Sequence, residues 1–201
     1  MKKLLITIFA SIALLCGSVG ISIADSFSDG QQAYDSGDYN NALRIWTTLA
    51  QQGDVDSQFS LGSMFYLGEG VPQDYKTAMK WWTLVAEHGD IYTQFLVGSM
   101  YNDGEGVPQD YKEASRFYTL AAEQGFAMAQ TELGTMYYNG HGALADYIMA
   151  HMWYNIGAAN GNEIGAENRG IIAKEMTSED ISKAEVMAKV CMNSNYEKCG
   201  Y

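Results

Sequence analysis

Cysteine, proline, histidine and basic residues are all scarce in this 201-residue chain. It has three Cys, two Pro and three His, and its 12 Lys and Arg stand against 24 Asp and Glu, for a formal net charge of −12. Such a surface repels polyanions, which excludes nucleic acid and anionic lipid headgroups as partners. His88, His141 and His151 occur in no H-E-x-x-H setting, so no metal site is expected. A G-x-x-x-x-G-K-S/T phosphate loop is missing. The Gly-Glu-Gly strings at 68–70 and 104–106 are too short for a dinucleotide fingerprint and follow a helix, not a strand. Ser-x-x-Lys is missing too, and the nearest string, Thr77-Ala78-Met79-Lys80, lacks the serine. The many carboxylates belong to caps and solvated faces. These absences argue against an enzyme and leave no expected cofactor.

Long hydrophobic runs are confined to the start. Lys2 and Lys3 precede the apolar run Leu4 to Leu15, and Ser22-Ile23-Ala24 offers small residues to a signal peptidase. Residues 1–24 therefore read as a secretory signal cleaved after Ala24, too short and wrongly flanked for a membrane span. Cys16 raises a lipoprotein anchor as the rival, but Leu15 stands where a lipobox takes a small residue. The expected product is periplasmic or secreted, with no membrane insertion after cleavage. Cys191 and Cys199 then remain, both near the end of an exported chain, and a disulfide closing the 191–199 tail is the plain expectation.

What the chain has in quantity is repetition. LGEGVPQDY over 67–75 returns as DGEGVPQDY over 103–111, a step of 36 residues. Gly62, Gly98 and Gly134 keep that step, as do Asp74, Asp110 and Asp146, and Trp82, Tyr118 and Tyr154. A fixed period of this size signals a solenoid in which each unit covers its neighbour's apolar face. Each unit splits into two helical patterns with apolar residues three and four apart. Val55 to Leu67 and Tyr75 to His88 are the pair of the second unit. Gly68 and Gly70 end the first helix, Pro72 cannot continue it, and Asp74 caps the second. In the third unit, Asp110 and Glu113 read as a capping box. The first unit is a variant, with a short helix over Gln31 to Ser36. Residues Glu163 to Met176 and Thr177 to about Met192 read as a final helix pair, the second more polar because nothing stacks beyond it. The fold expected is all-α, with domain 25–201 divided into units 29–54, 55–90, 91–126 and 127–162, a helix pair over 163–192 and the closed tail.

These residues resemble the Sel-one-like repeats (SLR), relatives of the tetratricopeptide repeats. The resemblance rests on Leu61-Gly62, Phe65, Gly68, Gly70-Val71, Asp74, Ala78, Trp82 and Gly89 in the second unit, with matching sets in the third and fourth. Val97, Phe65, the shortened first unit and the altered fourth turn depart from the family pattern. The resemblance implies a right-handed α-solenoid of antiparallel helix pairs, and an adaptor that binds a protein or peptide, often in the cell envelope. An envelope enzyme of β-lactamase-like type and a structural subunit of an envelope complex are the alternatives. One secreted branch is described as β-lactamase-like, but it carries a disulfide in each repeat, and the repeats here hold no cysteine.

In related repeats the first helix of each pair lines the concave side. By that analogy Asp56, Phe59, Ser63 and Tyr66 face inward in the second unit, Tyr92, Phe95, Ser99 and Asn102 in the third, and Met128, Thr131, Thr135 and Tyr138 in the fourth. Phe59, Ser63, Tyr66, Tyr92, Phe95, Asn102 and Tyr138 are the expected partner contacts, because aromatics with polar neighbours make anchor pockets. Phe59 and Phe95 have a second reading, as packing between neighbouring first helices. Gln58, Gln94 and Gln130 recur in each full unit and are expected to bond backbone across units, the alternative being a ligand's main chain. His151 is expected to serve packing or surface, not catalysis.

Overall fold

Aspartate side chains start most of the helices, and glycines in the left-handed region end the first helix of each full unit. The computed structural model describes residues 25–142 and 144–200; the expected signal and Cys16 lie outside them. The helices are α1 (Phe27–Asp35), α2 (Tyr39–Gln51), α3 (Val55–Leu67), α4 (Tyr75–Glu87), α5 (Ile91–Asp103), α6 (Tyr111–Ala122), α7 (Ala127–Asn139), α8 (Tyr147–Ala159), α9 (Glu163–Ile172) and α10 (Ser178–Asn193). No strand occurs among the described residues. Asp54, Asp74 and Asp90 each accept a bond from the backbone N–H three residues on. Consecutive helices pack on one another from α1 to α9, the chain of contacts that defines an α-solenoid.

Two kinds of glycine contact set the spacing. Within a unit, the aromatic of the second helix fills the place of a missing side chain on the first. A Cβ on Gly62 would stand 2.3 Å from Trp82, one on Gly98 2.7 Å from Tyr118, and one on Gly134 2.5 Å from Tyr154. Between units, the turn glycine seats on the start of the preceding second helix. A Cβ on Gly106 would lie 2.4 Å from the Tyr75 carbonyl oxygen, and its φ of 74° suits glycine alone. Glutamines complete each joint. Nε2 of Gln58, Gln94 and Gln130 donates to the carbonyls of Ala50, Ala86 and Ala122 at 3.0–3.1 Å, all buried. The glutamines thus bond backbone of the preceding unit.

Four expectations need correction. The first helix begins at Phe27, not Gln31: Ser26 and Asp29 form a reciprocal capping box that starts it earlier. The box expected at Asp110 is half formed. The Asp110 carboxylate accepts from Lys112 and Glu113, but the Asp110 N–H goes to the Tyr101 carbonyl at 2.9 Å, and Glu113 turns to Arg116. The helix begun at Glu163 stops at Ile172, and a 3-10 turn over Ala173–Glu175 precedes the Thr177 cap. Finally, α9 and α10 are not a pair packed mainly on each other; both pack on α8.

That arrangement explains why α8 is buried from Met149 to Tyr154 without a break. A helix apolar on every side needs neighbours on every side, and α7, α9 and α10 supply them. Cys191 and Cys199 are joined by a disulfide and sit in the same core as Met152 and Trp153. The tail then folds back, and the Tyr196 hydroxyl accepts from the Asn160 amide at 2.8 Å.

Candidate partner-binding face

The first helices bring part of the expected site together. Phe59 on α3 stacks on Trp82 at 6.2 Å between ring centroids and approaches Tyr92 of α5 at 6.4 Å. Tyr92 meets Phe126 edge-on at 6.5 Å, and Phe126 meets Phe95 at 5.2 Å. Phe95 in turn lies 5.6 Å from Tyr118. The result is a chain of aromatic rings that crosses the boundary between the second and third units. Phe59 and Phe95 are half-buried: each packs on the core aromatic of its own unit and keeps a solvent-facing side. Tyr92 is 51% exposed.

At one end of this chain lies a cleft of about 460 Å³. Phe27, Phe59 and Tyr92 wall it, and Asp56 and Asp90 stand at it. Asp90 is also the α5 cap, accepting from the Thr93 N–H at 2.7 Å. The cleft therefore joins aromatic surface to carboxylates, suited to an apolar or cationic group.

The other expected residues divide. The Ser63 hydroxyl donates to the Phe59 carbonyl at 3.0 Å, one helical turn back. Tyr66 lies 5.1 Å from both Tyr75 and Trp82, and its hydroxyl donates to Glu105 of the next unit's turn at 3.3 Å. Tyr34 makes the equivalent bond to Glu69. Burial first, then Glu105, pushes the Tyr66 phenol above its ordinary value. Tyr34 is pushed up to about 12, chiefly by its bond to Glu69. These tyrosines link units. The Asn102 amide donates to Asp103 at 2.8 Å. Tyr138 is remote from Phe59: it stacks on Tyr147 at 5.4 Å and lines a separate cleft of about 330 Å³ with Thr135, Tyr154 and Asn168.

Thr131 is not an inward-facing position. It is 4% exposed, and Gly157 and Gly165 close over its hydroxyl; a Cβ on either would stand 2.5 or 2.8 Å away. The C-terminal helices cover the fourth unit where the earlier units stay open. The sequence reading also passed over Phe27 and Phe126. Phe126 was detectable by register: Asp54 and Asp90 occupy the same position one and two units earlier, so an aromatic there breaks a capping pattern. Among the described residues no group of three or more His, Cys, Asp or Glu is placed to hold a metal ion. None of the described helices is long and apolar enough to cross a membrane.

The family model for the Sel1 repeat matches residues 55–90, 91–126 and 127–162. No curated protein matches the chain. Among solved structures the chain is similar to a protective antigen present in uropathogenic Escherichia coli strains that displays an SLR fold. The identity is 30% and the TM-score 0.71, over 85% of this chain and 38% of that one. It is also similar to a Sel1 repeat protein from Oxalobacter formigenes, at 35% identity and a TM-score of 0.57, over 64% of this chain and 96% of that one. The chain thus spans well under half of the first relative and nearly all of the second.

Proposed function

Because this chain belongs to the Sel1 repeat family, we propose that it is an exported, non-enzymatic interaction scaffold that holds a protein or peptide partner on its first-helix face. The observation that carries this reading is the cleft of Phe27, Phe59 and Tyr92 with Asp56 and Asp90 beside it. Aromatic anchors supply apolar contact at low entropic cost, and the carboxylates select a partner with Lys or Arg next to its apolar residue. The Cys191–Cys199 disulfide supports an oxidising compartment, in keeping with the secretory signal expected over residues 1–24.

The test is capture by the mature chain beginning at Asp25. It would be immobilised, exposed to envelope extract and medium, cross-linked and read by mass spectrometry beside a Phe59→Ala/Tyr92→Ala variant of unchanged helicity. A protein recovered by the wild type alone supports the cleft. Equal recovery moves the site elsewhere, and no recovery removes the scaffold reading. Intact mass of exported protein checks the start at Asp25.

A further inference from the structure

The second helix α4 also borders a groove of different chemistry. It has a volume of about 660 Å³ and lies between α4 and the turn of the following unit. Met79, Leu84, Val107 and Pro108 form its apolar lining, and Lys76 and Lys80 stand at its edge. Leu84 is 42% exposed among the described residues.

The two lysines belong to a pattern. Lys76 and Lys112 are 36 residues apart, and Arg44, Lys80 and Arg116 keep the same step. All five are exposed, on α2, α4 and α6. In a chain with a net charge of −12, this face gathers a large share of the few basic residues. Arg44 is paired with Asp25 at 2.8 Å and Arg116 with Glu113 at 2.9 Å. Lys76, Lys80 and Lys112 have no carboxylate within ion-pair distance among the described residues. Asp74, which feels Lys80, is committed to the α4 cap through Thr77. Unpaired cations beside exposed apolar surface mark a contact site, and the charge selects the partner.

We propose that the groove between α4 and the turn at 106–108 docks an acidic protein segment that inserts a large apolar side chain between Lys76 and Lys80. Its occupant differs in charge from the partner of the aromatic cleft, and the two sites share no lining residue. An anionic membrane suits the site less well, because an extended anionic surface also meets the acidic remainder of the chain, whereas a short segment meets this face alone.

The probe is a short fluorescent peptide with a Leu-Phe centre flanked on both sides by Asp and Glu. Controls replace its acids with Lys, or its Leu-Phe with Ser-Ser. The acidic apolar peptide binds, more weakly as salt is raised, and both controls bind at least about tenfold more weakly. Lys76→Glu/Lys80→Glu and Leu84→Asp each cost about tenfold or more, while Phe59→Ala/Tyr92→Ala changes nothing. Binding that survives the lysine reversal, or no preference for the acidic peptide, overturns the proposal. So does binding to phosphatidylserine vesicles in its place, or self-association of the chain lost in the same variants.

Discussion

Trp82 occupies the space that a side chain on Gly62 would need: a Cβ there would stand 2.3 Å from the indole ring. The indole N–H donates to the Phe59 carbonyl at 3.1 Å, so α3 holds the ring at two points. Trp46 and Gly30 repeat the relationship in the first unit, where the Cβ distance would be 2.4 Å.

Gly62→Ala is therefore expected to destabilise the fold, by about 2–3 kcal/mol, because a rigid buried ring has to move. Gly98→Ala, with 2.7 Å to Tyr118, should cost less. Urea denaturation of the two variants measures the difference. An unchanged midpoint for Gly62→Ala would show that the helices can separate freely.

His88 stands where the later units carry Gln124 and Asn160, at the 36-residue step. Gln124 donates to Gln94 Oε1, and Asn160 to Gln130 Oε1, both at 2.8 Å. The corresponding Oε1 of Gln58 is buried without a partner. His88→Gln should supply the missing donor and stabilise by about 1 kcal/mol. A melting temperature equal to or below that of the wild type would count against this account of the joint.

Stability should fall in mild acid through His151. The residue is 2% exposed, and its Nδ1 has no hydrogen-bond partner. Burial, and then Arg169, hold its imidazole below the ordinary value of 6.5, while Glu185 pulls the other way. The unfolded chain thus takes up a proton that the folded chain resists. The stabilising contribution is fully present above about pH 6.5 and is lost as pH falls through that value toward the folded pKa. Glu132 behaves oppositely. Burial, then Asp103, raises its carboxyl, so its contribution is complete below the ordinary 4.5 and is lost as pH rises through the raised value. Denaturation midpoints measured across this range should flatten on the acid side in His151→Phe. Glu132→Gln should gain stability at neutral pH. A wild-type curve identical to that of His151→Phe refutes the assignment.

Periodicity made the solenoid legible, because the three full units repeat the same glycines, the same core aromatic position and most of the same caps. The starts at Val55 and Tyr75 follow from Asp54 and Asp74. The Gln58, Gln94 and Gln130 bonds were also readable, since a polar side chain repeated at a buried joint needs a fixed partner. The ends were less legible, for they lack a neighbour to compare with. The Ser26 cap lies just before the first recognisable unit, and nothing in α10 itself announces that it packs on α8 and not mainly on α9. The candidate site was half legible. Phe59 and Tyr92 share a cleft, but Tyr66 spends its hydroxyl on Glu105, and Thr131 is buried under glycines that lie far away in sequence.

Removing the disulfide with Cys191→Ser/Cys199→Ser should cost about 2.5 kcal/mol from the short loop that it closes. The loss should concentrate in the last helices, since both sulfurs lie in the core beside Trp153. Hydrogen exchange of α10, compared with that of α4, reads it directly. Equal protection in the variant and the wild type would mean that packing alone holds the tail.

The two ends of the described helical array are unequally held. α1 packs chiefly on α2, whereas α8 is enclosed by α7, α9 and α10, and the tail is locked by a covalent bond. A quasi-one-dimensional array opens from its weaker end. Unfolding of the described array is therefore expected to run from α1 toward the disulfide. The cleft of Phe27, Phe59 and Tyr92 sits at the end that opens first. Occupying that cleft and holding the first units in order are then a single equilibrium, so a partner bound there stabilises α1 to α3.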